Sequence, residues 1–120
     1  MKYMLLIYAN DELMASFTDE LQAKAIKDTN AVHEELRATG EFVGAYGMAD
    51  QVMAKQVRVT DGVPVVTDGP FLETKEFLAS FEIVDCESLD RALEIAARNP
   101  FAQVGQVEVW PITHEAPAVV

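Results

Sequence analysis

The chain has 120 residues, half of them hydrophobic, and twenty acidic residues outnumber nine basic ones to give a net charge of -11. A chain of this length forms one domain with a sizeable core. Its negative charge repels nucleic-acid phosphates and anionic lipid surfaces, so neither is a predicted partner. The single cysteine, Cys86, cannot form an internal disulfide and suits a reducing compartment. Since no apolar run reaches the length of a signal-peptide core or a membrane span, we predict a cytoplasmic protein.

The first strand and the first long helix are predicted within residues 3–39. Residues 3–9 are apolar on both alternating faces, which is typical of a central strand. Thr18 is a suitable N-cap for a helix that ends near Thr39, where Gly40 offers a left-handed stop. The predicted buried stripe of this helix consists of Leu21, Ala25, Val32 and Leu36.

A second strand and a β-hairpin follow. Residues 42–47 predict a strand whose Gly44 and Gly47 let another group approach the backbone closely. Residues 56–60 and 64–67 predict two paired strands, because Asp61-Gly62 is a favoured two-residue hairpin turn.

The second half of the chain predicts a strand, a helix and a last strand. Residues 77–84 alternate with a period of two, and Phe77, Ala79, Phe81 and Ile83 are the predicted helix-facing set. Ser88 caps a helix with an outer Glu94–Arg98 pair. Residues 106–112 predict the last strand. The apolar stripe predicted for this helix consists of Leu89, Ala92, Leu93, Ala96 and Ala97.

Without the hairpin, these elements follow the β-α-β-β-α-β order of an α+β, ferredoxin-like fold. Residues 1–113 form the predicted single domain, and residues 114–120 form a C-terminal tail. Two helices cover only one sheet face, so the other face is expected to pair with a second copy and to enclose a pocket. Its predicted members are Met4 or Leu5, Leu78 or Glu82, and Trp110.

The loop at residues 67–76 concentrates charge around a rigid Gly69-Pro70 turn. We expect it to hold Asp68, Glu73 and Lys75 in a reproducible arrangement. A plain turn, in which Asp68 bonds nearby backbone amides, is the alternative interpretation.

This loop resembles the signature of the DGPF branch of the YCII-related proteins, with residues 65–71 followed by Glu73-Thr74-Lys75-Glu76. The resemblance extends to residues 1–8, 35–40, 88–94 and 107–109. It implies a ferredoxin-like fold that dimerises into a shared α/β barrel, and it implies little about activity. DGPF-type domains are also often associated with alternative sigma factors.

The residues predict neither a metal nor a cofactor. The two histidines, His33 and His114, have no neighbour at ligand spacing, and no Gly-rich phosphate loop is present. The resemblance implies a catalytic dyad of a histidine in the first helix and an aspartate before a Pro-aromatic pair. The histidine position falls near Thr29 and the aspartate position is Asn99, so that dyad is not expected.

The candidate catalytic residues are Asp68, Lys75, Glu73 and His33. Asp68 is a candidate base or charge anchor, Lys75 would stabilise developing negative charge, and His33 is either a proton shuttle or an idle boundary residue. The candidate substrate-binding residues are Glu82, Glu108 and Trp110, although the carboxylates can be solvated and Trp110 can be interface filling.

Two functions remain open from the sequence. One is a cofactor-independent enzyme for a small molecule, of isomerase or lyase type, with its pocket in the dimer barrel. The other is a non-catalytic ligand-binding or regulatory module, associated with an alternative sigma factor.

Overall fold

The computed structural model describes residues 1–69 and 75–119. Within them lie a 3-10 turn at Gln51–Met53 and ten helices and strands: β1 (Lys2–Ala9), α1 (Asp11–Ser16), α2 (Asp19–Thr39), β2 (Phe42–Gly47), β3 (Lys55–Thr60), β4 (Val63–Asp68), β5 (Phe77–Asp85), α3 (Leu89–Ala97), α4 (Phe101–Val104) and β6 (Gln106–Pro111).

The main sheet confirms the predicted ferredoxin-like α+β fold. Its four antiparallel strands have the order β2-β5-β1-β6, and β3 and β4 form a separate two-stranded sheet. Strand β1 is central, as its apolar pattern predicts. The hairpin turn at Asp61-Gly62 is also confirmed, since both residues have a positive φ, 51° and 78°.

The core lies between one face of the main sheet and helices α2 and α3. Alternate residues of β1 are buried there, and the residues between them point to the opposite face, which no described element covers. We call that opposite face the open face. The core cluster consists of Tyr3, Leu5, Leu36, Val84, Cys86, Ala92, Ile95 and Ala96.

Helix α2 begins and ends where the sequence predicts. The Thr18 hydroxyl accepts a hydrogen bond from the Leu21 amide at 3.1 Å, and Gly40 ends the helix with a φ of 79°. Of the predicted stripe, Ala25 and Leu36 are buried, and Val32 packs partly on the core. Leu21 is exposed, so the prediction is wrong at that residue.

The prediction for the two faces of β5 is wrong at Phe81 and Ile83, although Phe77, which pairs with the buried Ala9, lies on the helix-facing side as predicted. Glu82 and Val84 face the helices, because they pair with Leu5 and Tyr3 of β1, whereas Phe81 and Ile83 lie on the open face. Both faces of β5 are largely apolar, so periodicity favoured the face without a carboxylate. The buried position of Glu82 depends on a partner from α2, which a strand pattern cannot reveal.

Two predictions for α3 also need correction. Ile95 is buried in the core with Ala92 and Ala96, while Leu89 and Leu93 are exposed. The predicted Glu94–Arg98 pair does not form, because the two residues have partners elsewhere. Glu94 binds Arg91 at 3.2 Å, and Arg98 binds Glu35 on α2.

The sequence patterns did not predict two short helices, α1 and α4. The Asn10 side chain caps α1 by accepting from the Leu13 amide at 2.7 Å, and Asn99 accepts from the Phe101 amide of α4 at 2.9 Å. The two helices meet through the rings of Phe17 and Phe101, whose centroids are 5.5 Å apart.

The segment after β6 is held against the first strand. The Ile112 amide donates to the Lys2 carbonyl at 2.9 Å, and the Lys2 ammonium binds the Glu115 carboxylate at 2.8 Å. The predicted tail, residues 114–120, therefore makes at least one contact with the domain.

A carboxylate–guanidinium pair joins the end of α2 to α3. Arg91 donates to both Glu41 oxygens at 2.9 and 2.8 Å, and Thr39 donates to the same carboxylate. The Arg91 hydrogen bonds lower the pKa of Glu41 from 4.5 to about 2.

We expect Glu41→Gln to lower the free energy of unfolding by about 1–2 kcal/mol at pH 7, less than the full pKa shift because solvent screens the partly exposed pair. Since the pKa is lower in the folded state, the carboxylate stabilises the fold fully above pH 4.5, and this contribution disappears as the pH falls to about 2. Urea unfolding at pH 7 and pH 3 measures this. Glu94→Gln, at an exposed carboxylate, is the control, and an equal loss at both pH values would contradict the prediction.

Candidate functional site

A buried histidine and a buried glutamate meet between α2 and β5. His33 Nε2 lies 2.9 Å from Glu82 Oε2, and their side chains are only 12% and 4% exposed. The Phe42 ring packs on the imidazole, with the centroids 4.6 Å apart. Because its backbone places Glu82 on the helix-facing side of the sheet, the carboxylate reaches His33 from below the helix.

The protonation of the two groups decides which one donates the hydrogen bond. When Glu82 is ionised its carboxylate can only accept, so His33 Nε2 then donates to it and a neutral ring keeps its acceptor at Nδ1. The carboxylate thus fixes the ring orientation and stabilises an imidazolium whenever the ring takes up a proton. A carboxylate-oriented imidazole of this kind is a suitable general base.

The pair opens onto a cavity of about 190 Å³ between the helices and the sheet edge. Thr29 lies one helical turn before His33, and both side chains line this cavity. Asn99, which is buried, and Phe101 line it from the other side. The cavity therefore combines a titratable pair, a hydroxyl and an amide with apolar walls.

Thr29 and Asn99 occupy the positions at which the resemblance places a histidine and an aspartate. The structure brings both into the cavity of the His33–Glu82 pair. In this chain the histidine and the carboxylate thus stand at other positions around the same space.

The open face carries a second polar cluster around Glu108. The Trp110 indole donates to this carboxylate at 3.1 Å, and the Tyr8 hydroxyl lies near enough to be affected by its charge. Burial, followed by the negative charge of Glu108, raises the pKa of Tyr8. Trp110 is 55% exposed, so the cluster lies on a surface that the described chain leaves uncovered.

Asp68 and Lys75 do not line the cavity of the His33–Glu82 pair. Asp68 forms an ion pair with Lys55 across the base of the β3–β4 hairpin, and its side chain is 88% exposed. Lys75 is exposed, and it forms no ion pair with a residue in the described ranges. Glu73 lies outside the described residues. The predicted roles of Asp68, Glu73 and Lys75 stay predictions.

Two apolar cavities beside Phe17 have no counterpart in the sequence analysis. They measure about 380 and 320 Å³ and lie on either side of Phe17, between α2 and the short helices α1 and α4. Both are lined by Phe17 and by residues of α2 and α4 that are distant from each other in sequence, so no local pattern could have predicted them. The position of Tyr8 beside Glu108 was not predicted for a similar reason, since it results from the pairing of β1 with β6.

The described residues contain neither a cluster of metal ligands nor a membrane-spanning helix. Within residues 1–69 and 75–119, no three histidine, cysteine, aspartate or glutamate side chains gather as metal ligands. In the same ranges, no helix has the length and hydropathy required to cross a lipid bilayer.

The fold and site define an α+β protein with a ferredoxin-like sheet and a buried histidine–glutamate pair beside a small cavity. The family model of the YCII-related domain matches residues 1–116. An uncharacterized protein of Rhizobium meliloti (strain 1021) is 32% identical over 114 residues, which span 93% of this chain and 92% of that protein. The chain belongs to the YCII-related family.

Proposed function

We propose that this protein is a cofactor-independent enzyme that moves a proton on a compact organic molecule. The observation that carries the proposal is the buried, hydrogen-bonded His33–Glu82 pair at the wall of a cavity. Burying a carboxylate and an imidazole is costly, and a pair of hydrophobic residues would fill the same space more cheaply. Paired titratable groups at a cavity wall are the usual sign of acid–base chemistry.

His33 takes the role of general base, and Glu82 holds the ring and stabilises its protonated form. The Thr29 hydroxyl and the Asn99 amide provide polar groups that can orient a substrate. A cavity of about 190 Å³ is smaller than the roughly 300–1,000 Å³ of most ligand pockets, so the substrate is small. Isomerisation or elimination next to a carbonyl group suits these residues, because such steps need only a positioned base and donor.

The loop at Asp68 has an accessory role in this proposal. Asp68 and Lys75 are both exposed, so they suit the capture of a charged substrate better than proton abstraction. Glu73 is assigned to the same group on sequence alone.

The enzyme is tested with small 2-oxo acids, such as pyruvate, in D2O. Proton NMR follows the exchange of the protons next to the carbonyl. We expect His33→Gln, which keeps an N–H donor for Glu82 but cannot accept a proton, to lower the catalysed rate by roughly 100-fold or more. Glu34→Gln, at an exposed neighbour on α2, is the matched control. A rate equal to that of buffer, or full activity in His33→Gln, would contradict proton transfer at this site.

The protein is also proposed to work as a homodimer whose open faces meet. This face presents Tyr46 stacked on Phe81, with ring centroids 5.1 Å apart, next to Met4, Leu6 and Trp110. Exposed aromatic and aliphatic side chains on one contiguous face favour a protein partner, and a second copy is the commonest one. The Glu108 cluster would then lie inside the dimer, where it can contact a ligand.

A second candidate function is a non-catalytic binding module. The two apolar cavities beside Phe17 favour it, because their walls are mainly apolar and they are larger than the cavity at His33. Such a module would keep its ligand affinity in His33→Gln, which separates the two candidates.

A further inference from the structure

The β3–β4 hairpin, residues 55–68, projects from the domain without a described surface to cover it. Its two strands pair with each other, and in the described part of the chain they pack extensively on no other element. The radius of gyration is 16.6 Å, whereas a compact chain of this length has about 13–14 Å. We call this hairpin the arm.

One face of the arm is apolar beyond the Lys55–Asp68 ion pair at its base. Val57 pairs with Val66, and Val59 pairs with Pro64, so these four side chains lie on the same face. The three valines are 61–67% exposed. A two-stranded hairpin alone is only marginally stable in water, so a surface is required to cover this face.

The arm can approach a partner that carries a large negative charge, because the arm itself is neutral. Lys55 and Arg58 balance Asp61 and Asp68, so the arm has no net charge, although the whole chain has -11. Two copies of this chain repel each other at long range, and a neutral arm is the part that can approach a second copy without that penalty.

The contact areas of the open face and of the arm also favour a second copy of this chain as the partner. The open face of four strands outlines roughly 400 Å², given strands about 4.8 Å apart and six residues long at about 3.4 Å each. A stable interface buries at least about 600 Å² of accessible surface on each partner, so contact area beyond the sheet favours a stable dimer. The apolar face of the arm adds an outline of roughly 200 Å² by the same geometry.

We propose that the arm reaches across to a second copy of this chain and packs its apolar face on that copy's open face. By two-fold symmetry, each copy donates one arm and receives the other. The inference rests on the homodimer of the proposed function, and it adds a contact that the four-stranded sheet cannot provide.

The first test compares neighbouring residues on opposite faces of the arm. Val66→Asp places a charge on the apolar face, and Thr67→Asp places the same charge on the other face. We expect Val66→Asp to raise the dimer Kd by roughly 100-fold or more, with little change in Thr67→Asp. Sedimentation equilibrium measures the Kd, and circular dichroism confirms that the domain stays folded.

The second test identifies the surface that receives the arm. One tagged copy carries Val57→Cys and another carries Met4→Cys, and a short bismaleimide is added to the mixture. The native Cys86 is buried, and burial raises the pKa of its thiol, so the introduced thiols react first. We expect a covalent heterodimer that carries both tags.

The outcomes separate this inference from the proposed function. A wild-type monomer would overturn both the homodimer and the arm contact. A dimer that Val66→Asp leaves intact, or that gives no heterodimer on cross-linking, would overturn the arm contact alone. Neither result bears on proton transfer at His33, which His33→Gln tests.

Discussion

His33→Leu should lower the free energy of unfolding by about 3 kcal/mol, because it removes the described partner of a buried carboxylate. Glu82 is 4% exposed, so without His33 it must take up a proton, draw water into the core or move out of it. Leucine fills much of the volume of the imidazole, so the loss reports mainly on the unpaired carboxylate. Urea unfolding at pH 7 measures the change.

The double variant His33→Leu, Glu82→Leu should recover most of that loss. Two leucines against Phe42 and the sheet replace the hydrogen-bonded pair with apolar contacts, and replacing both partners of a buried polar pair is often neutral or stabilising. Glu34→Leu, at an exposed position on the same helix, should change stability by less than about 0.5 kcal/mol. A single variant that costs less than about 1 kcal/mol would show that Glu82 does not depend on His33.

The two variants together bear on function. If the double variant is as stable as the native chain, the His33–Glu82 pair is not required for folding. Its presence at a cavity wall would then require a chemical reason, and proton transfer is the role that a carboxylate-oriented imidazole performs.

Local patterns explain how much of the fold could be predicted. The caps of α2, the Asp61-Gly62 turn and the strand at β1 depend on residues close in sequence, and all three are confirmed. The order of the main elements then leaves few topologies to consider. The prediction of which β5 residues face the helices failed at Phe81 and Ile83. Both faces of β5 are apolar, and its pairing with β1 shifts between Ile7 and Tyr8.

The candidate site was predictable only in its parts. His33 and Glu82 were each named from the sequence, but His33 was placed at a helix edge and Glu82 was offered for an inter-sheet pocket. Their contact spans 49 residues, and it depends on the face that β5 presents to α2. Residues that meet across such distances are set by strand register, which one sequence specifies only weakly when both faces are apolar.

Trp110→Asp should weaken the proposed homodimer by roughly a thousandfold or more. Trp110 is 55% exposed on the open face, so covering its ring buries roughly 100 Å², or about 2.5 kcal/mol at 25 cal/mol per Å². A two-fold interface contains the residue twice, which makes the expected loss about 5 kcal/mol before any cost of bringing two carboxylates together.

The measurement is size-exclusion chromatography with light scattering at micromolar concentration. The Trp110→Asp variant should elute with the 13.2 kDa mass of one chain. Leu93→Asp is the control, because Leu93 has a similar exposure but lies on α3, on the opposite side of the sheet. Dissociation by Leu93→Asp with an intact Trp110→Asp dimer would place the interface on the helices. Dissociation by Trp110→Asp alone would place it on the open face, where the Glu108 cluster then becomes part of an enclosed pocket.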